Sequence, residues 1–159
     1  MNVLLITDIF PTSKSPREGE FVRAQYDRFL EVMTDDEEVS IFHLSEKRQN
    51  ILGKQFANML ALLAFVPVLF QRYHVIHVHN LSPLARLVKV YRLFHPSVRL
   101  LLTMHGPGML DDIPYEGPKN LKYRELIHSF DKIMPVGKSL HEPLYKKLGV
   151  YPHHTICAG

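Results

Sequence analysis

The chain has 159 residues, of which 46% are apolar and 22% are charged, a composition typical of one ordinary globular domain with a real core. Its formal net charge of +3 permits an anionic ligand, such as a phosphate or an anionic membrane surface, without requiring one. The single cysteine, Cys157, excludes an internal disulfide and fits a reducing compartment. Met1 and Asn2 lead straight into an apolar run, so we expect no signal peptide.

Apolar runs alternate with amphipathic stretches along the whole chain. Strands that alternate with helices indicate the α/β class, here a Rossmann-like, doubly wound parallel sheet in three layers. We expect residues 1–159 to form this single domain. In chain order the pattern predicts strands at 2–7, 39–44, 75–79, 98–104, 132–136 and 155–158, with helices at 21–33, 54–72, 83–95, 120–130 and 138–148.

The first predicted helix follows a polar loop that carries Asp8, Arg17 and Gly19. A glycine at a helix entrance lets backbone N–H groups approach a phosphate, although a plain loop-to-helix glycine is an equal alternative. The sequence contains no G-x-G-x-x-G and no G-x-x-x-x-G-K-[ST], which argues against a dinucleotide-binding or P-loop enzyme. The apolar face of this helix is predicted to comprise Phe21, Ala24, Gln25, Phe29, Leu30 and Met33.

Residues 56–70 are uncharged and apolar. The stretch is shorter than the roughly 18 residues that a membrane-spanning helix needs, and Pro67 interrupts it. We expect a buried or half-buried helix, with a helix that rests on lipid or on a partner surface as the alternative.

The region 74–106 reads as strand, helix and strand, with a histidine at the end of each strand. Ligands of open parallel sheets bind at the carboxyl ends of strands, which is where His79, Asn80, His105 and Gly106 fall. A histidine there can donate a hydrogen bond to a sugar hydroxyl or polarise a leaving group, or it can simply be satisfied by backbone groups. The Gly- and Pro-rich loop that follows, at 106–118, has a length typical of functional or mobile loops.

A metal site is a further alternative for these histidines. His77 and His79 share one face of their strand and, with His105, could supply three ligands. No carboxylate or fourth ligand stands at a motif-like spacing, so we expect no metal. His153 and His154 are expected to be surface residues.

Five segments, in order, resemble the N-terminal domain of retaining GT-B glycosyltransferases of the large group-1 family (family 4). The resemblance covers nearly the whole chain. It departs from the family at Gly108, Gly137 and Ala158, where Asp, Ser and Asn are common, and the second, donor-binding domain is absent. The matching segments are MNVLLITDIFPTSKSPREGEFVRAQ, HVIHVHNLSPLARLVKV, LLLTMHG, FDKIMPVGKSLHEPLYKKLGV and TICAG.

The resemblance implies transfer of a sugar from a nucleotide-sugar to a glycan or lipid-linked acceptor, with retention and without a cofactor. His105 would be catalytic, and the substrate-binding residues would be Asp8, Arg17, Gly19, His79, Asn80 and Gly106. A C-terminal GT-B domain or a partner chain would complete the enzyme, since this domain alone should transfer little sugar. We expect no nucleic-acid partner and a cytoplasmic location, peripheral to a membrane in the lipid-linked case. The alternative is a non-enzymatic Rossmann-like binding module that uses the apolar 56–70 surface.

Overall fold

A five-stranded, all-parallel sheet forms the centre of the protein, in the order β2-β1-β3-β4-β5. The computed structural model describes all of the chain except residues 14, 45–52, 107, 153 and 157–159. Helices flank the sheet, so the predicted α/β, Rossmann-like three-layer fold is confirmed. The strands are β1 (Asn2–Thr7), β2 (Glu38–His43), β3 (Val75–His79), β4 (Arg99–Met104) and β5 (Lys132–Pro135).

The helices fall close to their predicted positions, with one addition inside the 106–118 loop. A 3-10 turn, Pro83–Arg86, precedes the third helix. The helical run predicted at 138–148 is continuous but changes from 3-10 through α to π geometry, and it ends at Gly149 in the left-handed conformation. The α-helices are α1 (Glu20–Val32), α2 (Lys54–Leu69), α3 (Leu87–Phe94), α4 (Gly108–Asp111), α5 (Pro118–Ile127) and α6 (His141–Pro143).

Of the strand predicted at 155–158, the structure describes Thr155 and Ile156. Of these, only Ile156 pairs with the sheet, through a single parallel bridge to Val136. Cys157 and Ala158 lie outside the described residues, as do most of the 45–53 connection and His153. His154 is exposed, as predicted.

The alternation of side chains along each strand decides which helix covers which face. Leu4 and Ile6 of β1 belong to the main core with α2 and α3, whereas Val3 and Leu5 point to α1. On β3, Ile76 and Val78 belong to the main core. His77 and His79 therefore occupy the α1 side, opposite to Ile76 and Val78, as the period of two predicts.

The apolar face of α1 differs from its prediction. Val22 is the buried residue of this helix, and Phe21 and Leu30 are exposed. Two residues of the predicted face, Phe29 and Met33, do pack against Val3, Leu5 and Val39, together with Tyr26.

The apolar 56–70 segment forms α2 and is half-buried, as expected. Ala61 and Phe65 enter the main core, and the Phe65 ring meets Phe42 edge-on at 5.1 Å between centroids. Within the described part of the chain, no helix is both long enough and apolar enough to cross a bilayer. The opposite face of the segment stays exposed and comprises Met59, Leu62, Leu63, Val66 and Phe70.

Candidate functional site

The carboxyl ends of β3 and β4 are joined by Asn80. Its backbone adopts the left-handed conformation, with φ 67°, which Asn tolerates better than most residues. Its N–H donates to the Thr103 carbonyl oxygen at 2.8 Å, and its Oδ1 accepts from the backbone N–H of His105 at 3.1 Å. Asn80 therefore fixes where His105 leaves the sheet, a structural function beside the substrate contact predicted for it.

His79 and His105 form a direct pair between the two strand ends. Nδ1 of His79 lies 2.9 Å from Nε2 of His105, within hydrogen-bonding distance. The rings are nearly parallel, at 14°, with centroids 5.1 Å apart. His79 is completely buried, whereas His105 is partly exposed. Of the two, His105 is the one that can reach a ligand.

His77 continues the row into the sheet. Its ring stacks on that of His79 at 4.5 Å between centroids. Its Nε2 lies 2.7 Å from Thr103 Oγ1, and Gln25 Nε2 lies 3.3 Å from its Nδ1. Both nitrogens of His77 are thus occupied within the protein, so this histidine supports the site without facing a ligand.

Phe21 covers the outer end of the row. Its ring centroid lies 4.0 Å from that of His105 and 6.4 Å from that of His79. Phe21 remains 43% exposed, although α1, in whose first turn it lies, packs on the sheet. Phe21 and Gln25, one turn apart on α1, are site residues that sequence reasoning missed. The sequence shows that both follow Gly19 on one face of a helix, but whether that face contacts the histidines depends on how α1 packs on the sheet.

Burial keeps all three histidines neutral near pH 7, because it disfavours the charged imidazolium. It lowers the pKa of His77 to about 4 and that of His79 to about 2, with a smaller contribution from repulsion by the neighbouring histidines. Burial also lowers the pKa of His105 to about 4. The site therefore presents a neutral imidazole.

The histidine row does not have the geometry of a metal centre. A metal would need ring nitrogens that converge on one point, whereas here His79 and His105 face each other and His77 is paired with Thr103 and Gln25. In the described ranges no group of three or more His, Cys, Asp or Glu side chains could hold an ion. The structure gives no support to the three-histidine metal alternative.

Gly19 lies where the first loop turns into α1. Its φ is 71°, and a Cβ at this position would lie 2.5 Å from the Ile9 carbonyl oxygen and 2.8 Å from the Phe10 nitrogen. Thr7 Oγ1 donates to the same carbonyl oxygen at 2.8 Å. Gly19 is therefore required for close approach between the start of α1 and the chain leaving β1. Its predicted contact with a substrate stays a prediction.

Asp8 and Arg17 are the other predicted site residues of the first loop. Asp8 directly follows β1 and is buried, and its backbone forms a hydrogen bond with the His43 ring. Arg17 is exposed in the turn before Gly19 and makes no ion pair within the part of the chain described here. The structure thus joins His79, Asn80 and His105 into one unit.

The loop after His105 and Gly106 is anchored at its far end. Asn120 Nδ2 donates to the Pro114 carbonyl oxygen at 2.8 Å and to the Lys147 carbonyl oxygen at 2.6 Å. Lys147 Nζ in turn donates to the Leu110 carbonyl oxygen at 2.6 Å. Leu110 itself belongs to the main core. Lys147 and Asn120 therefore tie the loop to the rest of the domain at Leu110 and Pro114.

A groove of about 890 Å³ lies elsewhere, at the amino-terminal edge of the sheet. Arg72, His74, Phe94 and Arg99 line it, and the histidine row does not. The candidate site is nevertheless placed at the opposite edge, where His105 is held through its ring by His79 and through its backbone N–H by Asn80.

No protein-family model and no curated protein matches this chain. Fold and site together define its class: an open, all-parallel α/β domain whose polar side chains gather at the carboxyl edge of the sheet.

Proposed function

We propose that this chain is the acceptor-side half of a retaining GT-B glycosyltransferase, which transfers a sugar from a nucleotide-sugar to a glycan or lipid-linked acceptor. The observation that carries the proposal is the neutral His105 at a strand end, held by His79 through its ring and by Asn80 through its backbone. A neutral imidazole in that position can hydrogen-bond an oxygen of the donor sugar as charge develops in the transition state.

Other residues at the carboxyl edge of the sheet would contact the substrates in this proposal. Phe21, beside His105, offers an apolar ring surface to the face of a sugar. Gly106, where an added Cβ would meet nothing within 4 Å, leaves the backbone open to donor or acceptor. Gly19 would let the first loop approach the substrates, and Asp8 and Arg17 would line the acceptor side. Catalysis needs a second domain or a partner chain that closes over this edge and excludes water.

Replacing His105 by alanine is expected to lower the rate of sugar transfer about 100-fold, the usual cost of removing one hydrogen-bond donor from a transition state. The measurement is transfer from a panel of nucleotide-sugars by the chain together with the domain that completes it. His128→Ala is the matched control, because His128 is exposed at the end of α5. Equal rates for wild type and His105→Ala would refute the catalytic function of His105.

A second candidate is a binding module that uses the apolar face of α2, with an anionic lipid surface as its partner. Its supporting observation is the unbroken row of exposed apolar side chains that ends at Phe70, which is 83% exposed and is followed by the exposed Arg72. Apolar side chains flanked by cations are typical of surfaces that enter the headgroup region of anionic membranes.

Replacing Leu63 by glutamate is therefore expected to weaken co-sedimentation with anionic vesicles about 10- to 100-fold, since burying one leucine contributes roughly 1.5–3 kcal/mol. Leu121→Glu on α5 is the matched control, because Leu121 is 62% exposed and Leu63 is 60% exposed. Equal loss in both variants, or no vesicle binding by the wild type, would eliminate this candidate. Binding that depends on Leu63 without any transfer activity would favour it over the enzyme.

A further inference from the structure

We propose that His79 is a positioning residue that fixes the tautomer of His105, so that His105 presents a neutral Nδ1–H to its ligand. Nδ1 of His79 and Nε2 of His105 lie 2.9 Å apart, and one of the two must carry the hydrogen between them. Because neither ring is charged near neutral pH, the position of that hydrogen decides what the outer nitrogen of His105 can do.

Two arrangements are possible. In the first, His79 donates from Nδ1 to Nε2 of His105, which leaves a bare lone pair on His79 Nε2 and a hydrogen on His105 Nδ1. In the second, His105 donates from Nε2, which places a hydrogen on His79 Nε2 and leaves His105 Nδ1 bare. The two arrangements therefore differ at both outer nitrogens of the pair.

The inner end of the pair selects the first arrangement. His79 Nε2 is buried and has no hydrogen-bond partner within the described residues. A buried N–H without an acceptor is rarer in proteins than a buried acceptor without a donor. The hydrogen of His79 is therefore placed on Nδ1, where an acceptor is present, and His105 keeps its own hydrogen on the outer Nδ1.

The neighbouring His77 offers no hydrogen-bond acceptor to Nε2 of His79. Gln25 donates its amide hydrogen to His77 Nδ1, which leaves the hydrogen of His77 on Nε2, facing Thr103 Oγ1. His77 meets His79 by ring stacking, with centroids 4.5 Å apart and planes at 30°, an arrangement that offers no nitrogen in line with Nε2. The row thus fixes each ring in one tautomer, from Gln25 to His105.

The chemical consequence is that His105 acts as a donor towards an oxygen acceptor of its ligand, and it does not remove a proton through Nδ1. Naming that ligand oxygen as part of a sugar or a phosphate rests on the proposed function. The assignment of the tautomer does not, since it follows from the contacts within the protein alone.

Long-range proton–nitrogen correlation spectra of the histidine-labelled protein, recorded at pH 7 without substrate, test the proposal. We expect a protonated Nδ1 and a bare Nε2 on His105, together with a nitrogen–nitrogen coupling across the hydrogen bond from His79. The loss of one set of signals in His105→Gln assigns the ring. A protonated Nε2 on His105 in the wild type would overturn the proposal whether or not any variant folds.

Two substitutions of His79 extend the test. His79→Asn keeps a donor near the position of Nδ1 and is expected to leave His105 with its hydrogen on Nδ1. His79→Asp offers only an acceptor when its carboxylate is ionised, and it is then expected to place a hydrogen on Nε2 of His105. The same tautomer of His105 in both folded variants would show that His79 does not control it. Failure of sugar transfer by the wild type would count against the proposed function and would leave these spectra unaffected.

Discussion

Replacing Gly19 by alanine is expected to lower the free energy of unfolding by about 4 kcal/mol. An L-residue in the left-handed region costs about 1–2 kcal/mol, and forcing atoms into a packed region adds about 1–3 kcal/mol. The new methyl group would lie 2.5 Å from the Ile9 carbonyl oxygen, and this contact is with backbone, which cannot turn away. Urea unfolding followed by far-ultraviolet circular dichroism measures the change.

Gly149→Ala is the control that separates the two contributions. Gly149 has nearly the same backbone conformation, φ 68° and ψ 27° against φ 71° and ψ 23° for Gly19. Its added Cβ would meet only the end of the flexible Arg124 side chain. We expect this variant to lose about 1 kcal/mol, the conformational part alone. Equal losses in the two variants would mean that the close approach at Gly19 costs nothing.

Lowering the pH from 7 to 4.5 is expected to destabilise the protein by an amount on the order of 5 kcal/mol, before most carboxylates titrate. Burial lowers the pKa of His77 and His105 to about 4 and that of His79 to about 2. The pKa of His43 is lowered in the same direction, chiefly by burial. Between pH 6.5 and 4 the unfolded chain therefore binds protons that the native protein does not.

The direction follows from this difference in bound protons. Stability that is present above pH 6.5 is lost as the pH falls through the window towards 4, with each fully shifted histidine contributing at most about 1.4 kcal/mol per pH unit. His105 is partly exposed, so its contribution is smaller. Urea unfolding at pH 7, 6 and 5 gives the slope.

A substitution within the row supplies the control for this slope. His77→Phe should lower overall stability yet make the slope shallower, because it removes one group that binds a proton only on unfolding. A stability that does not change between pH 7 and 5 would contradict the burial of a neutral histidine row.

Much of the fold could be predicted because local patterns determine it. The apolar run of β1 and the β-branched run of β3 have the bounds in the structure that the sequence predicts, Asn2–Thr7 and Val75–His79. The period of two along β3 is enough to place Ile76 and Val78 on the face opposite to His77 and His79, without any tertiary contact. The rule that ligands bind at the carboxyl ends of parallel strands then led to His79, Asn80 and His105.

Other elements could not be predicted, because long-range packing decides them. The predicted face of α1 included Phe29 but omitted Val22 and Tyr26, which contact with the rest of the domain buries or partly buries. The last predicted strand depended on pairing with Val136, and only Ile156 makes that contact in the described chain. Local propensity predicts neither the buried face of α1 nor the extent of the last strand, since both depend on the surface of the element they pack or pair with.

The sequence by itself determined which strand-end residues reach the carboxyl edge of the sheet, because strand ends are set by local patterns. Only the tertiary structure decided how they act together. His79 and His105 stand 26 residues apart, yet the parallel register of β3 and β4 brings their ring nitrogens to 2.9 Å. Phe21 comes over His105 only because α1 packs on that face. A hydrogen bond between two rings requires distance and direction, and those exist only once the sheet and α1 have assembled.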